Sequence, residues 1–362
     1  MEEEYFSCHY LESGLSFSYN SIRACAIVHH DTGEPTLADY TGGPLPIDTI
    51  LATQADIVQK NQTSQQHPNC QACPHLVRQK WPRSNYPIQW LGITNWLGCN
   101  LHCNYCWLQW APWSPRNIIS TLPLTLYDVN ASIQELIARV MLAPNATIDW
   151  GGGGEPLLMP GVDAMLTLLD QHGTTQWIHT NGTVLPKAIR DRTIDGSRLR
   201  ILCSIDAGSQ TTYESIKGLN LYDTVWENLK AYVAAGAKVS IKYLVLNDYW
   251  TYDEIRGFIH KDLDIGKITI LGDIDHRYPT PTPEILRALA YLQLLTDKHG
   301  LDYSLGGTGL NSVIEAELNT HIEQQFSAVW NDRYLYPKEY SQKTLSQRLA
   351  TTISKFRSTF WL

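Results

Sequence analysis

Cys99, Cys103 and Cys106 stand four and three residues apart in one short stretch, Cys99-Asn100-Leu101-His102-Cys103-Asn104-Tyr105-Cys106. Thiolates are soft ligands that suit iron–sulfur clusters, zinc or copper(I). Three of them on a four-iron cluster leave one iron without a protein ligand, and an open iron can bind a substrate or cofactor. A structural zinc wants four protein ligands, so a zinc loop here would borrow a fourth such as His102.

Four more thiols come earlier, at Cys8, Cys25 and the Cys70-Gln71-Ala72-Cys73 pair. A C-x2-C places two thiols on one turn, close enough to chelate one metal or cluster. Four thiols in a segment too short for a large core of its own suit a metal staple, either a second cluster or a zinc ribbon. Cys203 stands alone.

These residues need elements to hold them. Residues 15–28 alternate apolar and polar side chains around Asn20-Ser21 and predict a β-hairpin, and a helix follows over 47–59. From Tyr86 onward strand-like and helix-like segments alternate, the signature of βα units around a parallel sheet. Strands are expected at 88–94, 146–150, 176–179, 200–206, 239–246 and 267–271, with helices at 126–141, 162–171 and 223–235. Thr125 is the expected N-cap of the first of these helices. The cysteine loop leaves the C-terminal end of strand 88–94, and in a parallel barrel the reactive ends are those ends. On strand 200–206 alternation sends Ser204 and Asp206 to one face and Cys203 to the other, as a small buried apolar residue.

The C-x3-C-x2-C spacing, with Tyr105 before the last cysteine, resembles the signature of the radical S-adenosylmethionine (SAM) superfamily. Further motifs follow in that family's order. Gly151-Gly152-Gly153-Gly154-Glu155-Pro156 resembles its Gly-Gly-Glu-Pro, Thr180-Asn181-Gly182 its Thr-Asn-Gly, and Ser204-Ile205-Asp206 its Ser-x-Asp. The resemblance implies a partial (β/α)6 TIM-like barrel over residues 86–275. In it Cys99, Cys103 and Cys106 hold a [4Fe-4S] cluster, and SAM chelates the open iron. It puts Gly153, Gly154 and Glu155 at the SAM amino group, Asn181 beside SAM, and Ser204 and Asp206 near its ribose and carboxylate. The strand ending at Asn247 would close over the adenine. It implies reductive cleavage of SAM to a 5′-deoxyadenosyl radical, with an electron donor such as flavodoxin or ferredoxin. The early cysteines, in order, resemble a twitch or SPASM-type module holding an auxiliary [4Fe-4S] cluster. Here that module would precede the barrel, whereas the better-known arrangement places it after.

At 362 residues, 43% hydrophobic and 18% charged, the composition is that of a globular α/β protein. The expected division is 1–85 for the cysteine-rich auxiliary module, 86–275 for the barrel and 276–362 for a mostly helical extension with a helix at 312–326. A net charge of −8 argues against a nucleic-acid surface. No signal peptide and no bilayer-length apolar run is seen, which reads as cytoplasmic, with reduced thiols available for metal. Trp107, Trp110 and Trp113 would line the cluster loop and keep water out. Asp273, Asp275, His276 and Arg277 are expected to follow the sixth strand at the barrel mouth, where they would grip a peptide or protein substrate; a small-molecule substrate or a non-enzymatic metal protein is the alternative.

Overall fold

The structure is a computed structural model that describes residues 4–25, 34–63, 66–71, 73–81, 87–106, 127–263, 265, 269–274 and 282–305. Chain order begins β1 (Tyr5–Ser7), α1 (His9–Ser13), β2 (Gly14–Phe17), β3 (Ser21–Arg23), β4 (Thr36–Asp39), α2 (Ile47–Lys60) and β5 (Val77–Gln79). It continues through β6 (Ile88–Ile93), α3 (Val129–Ala138), β7 (Leu142–Trp150), α4 (Val162–Gln171), β8 (Thr175–Thr180), α5 (Lys187–Arg190) and β9 (Leu199–Ser204). The remainder is α6 (Gln210–Lys217), α7 (Tyr222–Ala234), β10 (Lys238–Val245), α8 (Tyr252–Leu263), β11 (Thr269–Ile274), α9 (Pro283–His299) and β12 (Asp302–Leu305).

One sheet carries the fold, in the order β12-β11-β10-β9-β8-β7-β6-β2-β3-β4. From β2 to β12 every pairing is parallel and the strands follow chain order. The expected run of six is β6 to β11, and it gains a parallel neighbour on each side. β2 pairs with β6 through Leu15↔Leu91, and β12 pairs with β11 through Ile270↔Tyr303. The hairpin expected at 15–28 is present as β2 and β3, with Phe17 opposite Ile22. It is continuous with the large sheet. β1 and β5 form a separate two-stranded antiparallel ribbon.

Each parallel strand shows one face to the helices. Ile178, Ile201, Cys203 and Ile241 lie on that face in the core with Leu166, Leu169, Val225 and Leu229 of α4 and α7. Cys203 is fully buried, as alternation predicts. Several boundaries differ from expectation: β7 begins at Leu142 where 146 is expected, β9 ends at Ser204 before Asp206, and the first barrel helix ends at Ala138. The helix expected from 126 begins at Val129, because the Asp128 carboxylate accepts the Ala131 N–H and caps it; Thr125 lies outside the described residues. The sixth strand runs on to Ile274, so Asp273 is a buried strand residue in register with Leu244, not part of a loop at the mouth. The run of apolar residues at 268–271 hid this, since Gly272-Asp273 reads as a turn. Trp107, Trp110, Trp113, Asp275, His276, Arg277 and the helix expected at 312–326 lie outside the described residues. Among the described residues no helix is long and apolar enough to cross a membrane.

Candidate functional site: a cysteine loop clamped by four strand ends

The cysteine loop leaves β6 and meets the loops that follow β7, β8 and β9. From the first of these, Gly154 N–H donates to Trp96 O at 3.2 Å and Glu155 N–H to Gly98 O at 2.8 Å. The two backbones approach so closely that a Cβ on Gly154 would lie 2.4 Å from Gly98 O. Only glycine fits there. The loop after β8 supplies Asn181, whose Nδ2 donates to Asn100 Oδ1 at 3.0 Å and reaches Cys99 Sγ at 3.7 Å. Thr183 Oγ1 accepts from Asn100 Nδ2 at 2.9 Å. The end of α6, beyond β9, receives the rest of the loop: His102 N–H donates to Lys217 O and Asn104 N–H to Ile216 O, both at 2.9 Å. After β10, Tyr249 Oη accepts from Asn104 Nδ2 at 2.9 Å.

Tyr105, Asp206 and Lys217 form a buried polar triad beneath the third cysteine. Lys217 Nζ lies 2.5 Å from Asp206 Oδ2 and 2.7 Å from Tyr105 Oη, and the Tyr105 hydroxyl donates to Asp206 Oδ2 at 2.5 Å. The other carboxylate oxygen accepts Leu244 N–H at 2.7 Å. Burial alone would push the lysine pKa down, but the Asp206 carboxylate outweighs it and Lys217 stays cationic. The Tyr105 hydroxyl is pushed well up by burial and by the same carboxylate, so it stays a donor.

Glu155 is 2% exposed, and both its oxygens are taken. Oε1 accepts from Leu157 N–H at 3.1 Å and Thr180 Oγ1 at 2.8 Å; Oε2 accepts from Asn181 N–H at 2.6 Å. Burial raises its pKa to about 7 against the pull of these donors. The glutamate therefore ties the glycine run to the Thr-Asn-Gly turn. Ser204 is half-buried at the end of β9, and Asn247 is exposed beyond β10, accepting from Thr282 Oγ1 at 3.4 Å.

The three thiols of the loop are half-buried. The Cys103 thiol is pushed up chiefly by burial; Cys106 and Cys99 act the same way and the Lys217 cation opposes them, so all three thiols lie within one electrostatic neighbourhood. In type and number these donors fit a cluster that leaves one iron open. Among the described residues no three His, Cys, Asp or Glu side chains converge at metal-binding distance. The early cysteines influence one another electrostatically. Cys8 Sγ accepts Leu11 N–H at 3.4 Å, capping α1, and its thiol is pushed to about 11 by burial, with Cys70 and Cys73 adding to the effect. The Tyr10 hydroxyl is pushed up chiefly by burial, with Asp149, Cys25, Cys8 and Cys73 acting the same way.

Sequence reasoning named the motifs but missed the residues that lock them. Asn100 belongs to the Cys-Asn-Leu opening of the motif, but its partner Thr183 and the Tyr249 bond to the same loop carry no local pattern. Lys217 was legible only as part of Lys217-Gly218, whose glycine at φ +79 ends α6 against His102.

Residues 96–261 match the sequence profile of the Radical SAM superfamily. That match to the radical SAM superfamily runs over the stretch that contains the cysteine loop and β7 to β10. The chain is 27% identical over 223 residues to a GTP 3′,8-cyclase of Agrobacterium fabrum, covering 58% of this chain and 60% of that one. It is 38% identical over 88 residues to a 7-carboxy-7-deazaguanine synthase of Clostridium acetobutylicum, covering 24% and 35%. The matched stretches thus span less than two thirds of either relative. Among solved structures, SuiB of Streptococcus suis bound to precursor peptide SuiA is similar with a TM-score of 0.48 and 14% identity, covering 76% of this chain and 57% of that one. Native anSMEcpe with bound AdoMet is similar with a TM-score of 0.43 and 15% identity, covering 60% and 63%.

Proposed function

We propose that Cys99, Cys103 and Cys106 hold a [4Fe-4S] cluster and that the chain cleaves SAM reductively to abstract hydrogen from a substrate carbon. The observation that carries this is the clamp: the loops after β7, β8 and β9 all bond directly to the cysteine loop. When bound, the cluster and SAM supply one-electron cleavage to methionine and a 5′-deoxyadenosyl radical, which takes the hydrogen atom. The chain's own residues orient and enclose. The glycine run offers close backbone approach, Asn181 and Ser204 offer polar groups facing the same end of the sheet, and Tyr105 with Asp206 and Lys217 fixes the floor of the loop.

The substrate in this reading is a peptide or protein, modified at carbon. Polar side chains that remain reachable on the sheet face turned away from the helices support it, His179 and Lys242 among them. A small-molecule substrate is the second reading, favoured by the names of the two curated relatives, a GTP cyclase and a deazaguanine synthase. The proposal includes an auxiliary [4Fe-4S] cluster on Cys8, Cys25, Cys70 and Cys73 within a module over 1–85, an electron donor such as flavodoxin or ferredoxin, and a cytoplasmic location. The test is anaerobic reconstitution followed by chromatography of SAM incubated with dithionite. 5′-Deoxyadenosine should form with wild-type protein and not with Cys103→Ala; formation at the wild-type rate in the variant overturns the assignment.

A further inference from the structure

The face of the sheet turned away from the helices is charged where a closed barrel would be filled with bulky aliphatic side chains. Along β8, Gln176, Ile178 and Thr180 are buried while Trp177 and His179 are exposed. β9 repeats the pattern, with Ile201 and Cys203 buried, Arg200 exposed and Ser204 half-buried. On the flanking strands the same face carries Asp149 and Lys242. These side chains stay accessible, at 47% for His179, 28% for Asp149 and 30% for Lys242. The space in front of β9 is therefore a wet cavity wall and not a packed core.

The polar groups on that wall are arranged with the basic side chains in the centre and the carboxylates outside. His179 Nε2 lies 3.2 Å from Asp149 Oδ1, on the β7 side, which leaves Nδ1 of the ring. Lys242 Nζ lies 3.6 Å from Asp273 Oδ2, on the β11 side, a loose pair. Both carboxylates thus sit outside, and the imidazole and the ammonium flank β9 from either hand. Below them Arg200 stacks over the Trp177 ring at 5.4 Å and has no hydrogen-bond or ion-pair partner among the described residues. His179 is level with Leu202, and Lys242 with Ser204. Two strand spacings across and two residues up put their backbones roughly 12 Å apart. That gap is spanned by a lysine and an imidazole meeting over one small anion. Two cations, Arg200 and Lys242, with an imidazole beside them around one strand, in a chain of net charge −8, are not explained by packing.

We propose that the front of β9 is an anion-binding subsite that holds a carboxylate or phosphate of the substrate between His179 and Lys242, with Arg200 beneath. It rests on the reading above that this end of the sheet carries the radical reaction, and it names the substrate class as an acid. A charge-assisted hydrogen bond from the ammonium holds the anion, the imidazole adds one from Nδ1–H in its doubly protonated form, and Asp149 orients the ring through Nε2–H. The anion then lies one side-chain layer below Ser204, which places the substrate's reactive carbon above it, toward the cysteine loop.

The test is calorimetric titration of the reconstituted holoenzyme with three probes: glutarate, inorganic phosphate and a triglutamate peptide. Wild-type protein should bind at least one. Lys242→Met and His179→Gln should each weaken that binding by about tenfold, and Lys242→Arg should restore most of it. Lys230→Met, on the exposed face of α7, should change nothing. Tightest binding of phosphate assigns a phosphate-bearing substrate, of glutarate a small carboxylic acid, and of triglutamate an acidic peptide. No binding by wild type, or equal binding by Lys242→Met, overturns the subsite. Wild-type cleavage of SAM without anion binding sinks this inference alone, and anion binding without SAM cleavage sinks the proposed reaction alone.

Discussion

Lys217 Nζ sits 2.5 Å from Asp206 Oδ2, with the two side chains 1% and 0% exposed. A buried pair of this kind is costly to break from one side, because the remaining charge has no water to turn to. Lys217→Met should therefore destabilise the protein by about 3–5 kcal/mol. The double variant Lys217→Met with Asp206→Asn should recover part of that loss. Denaturant melts of the three proteins check it, and a double variant less stable than the single one would contradict it.

Gly154→Ala drives a methyl into Gly98 O and should cost about 1–3 kcal/mol and lower the iron bound after reconstitution. Gly161→Ala, whose Cβ would meet nothing within 4 Å, carries only the strain of φ +77 and should leave iron content unchanged. Iron assays on both, beside thermal melts, separate loop docking from general backbone strain.

Burial raises the Glu155 pKa from 4.5 to about 7. A carboxyl that is harder to ionise when folded binds its proton more tightly in the folded state. Its contribution is fully present below about 4.5 and is lost as pH rises through about 7. Glu155→Gln should flatten the pH dependence of stability across that window. Melting temperatures of both proteins from pH 4.5 to 8 provide the readout, and parallel curves would refute the assignment.

Reconstituted protein should carry about eight irons if the early cysteines hold a second four-iron cluster. Cys70→Ala with Cys73→Ala should then remove about half. Zinc in the native protein with only about four irons would identify a ribbon instead.

The order of the parallel strands was legible because hydrophobic runs and glycine turns recur with the βα rhythm, and Cys203 could be assigned inward from alternation alone. The end of β11 was not legible, since Gly272-Asp273 has turn chemistry yet is held in the sheet by β10 and β12. β12 itself is four residues long and offers no pattern before pairing. At the site, Glu155 was readable as a motif residue but not as the tie between two loops, because its partners Thr180 and Asn181 come from another strand. Lys217 and Tyr249 act through partners more than a hundred residues away, and such contacts have no local signature.

The bonds from the cysteine loop to Lys217 O and Ile216 O, and the bond between Asn181 and Asn100, leave the thiol sulfurs out; Asn181 also touches a thiol, Cys99 Sγ at 3.7 Å. Bonds of that kind need no iron, so a folded apoprotein that keeps them should hold the loop in place, with the ordering entropy of that segment spent during folding. The expected order of maturation is then folding first and cluster insertion second. A short peptide copied from residues 96–106 lacks those partners and should compete poorly with the folded apoprotein for cluster transfer from a donor.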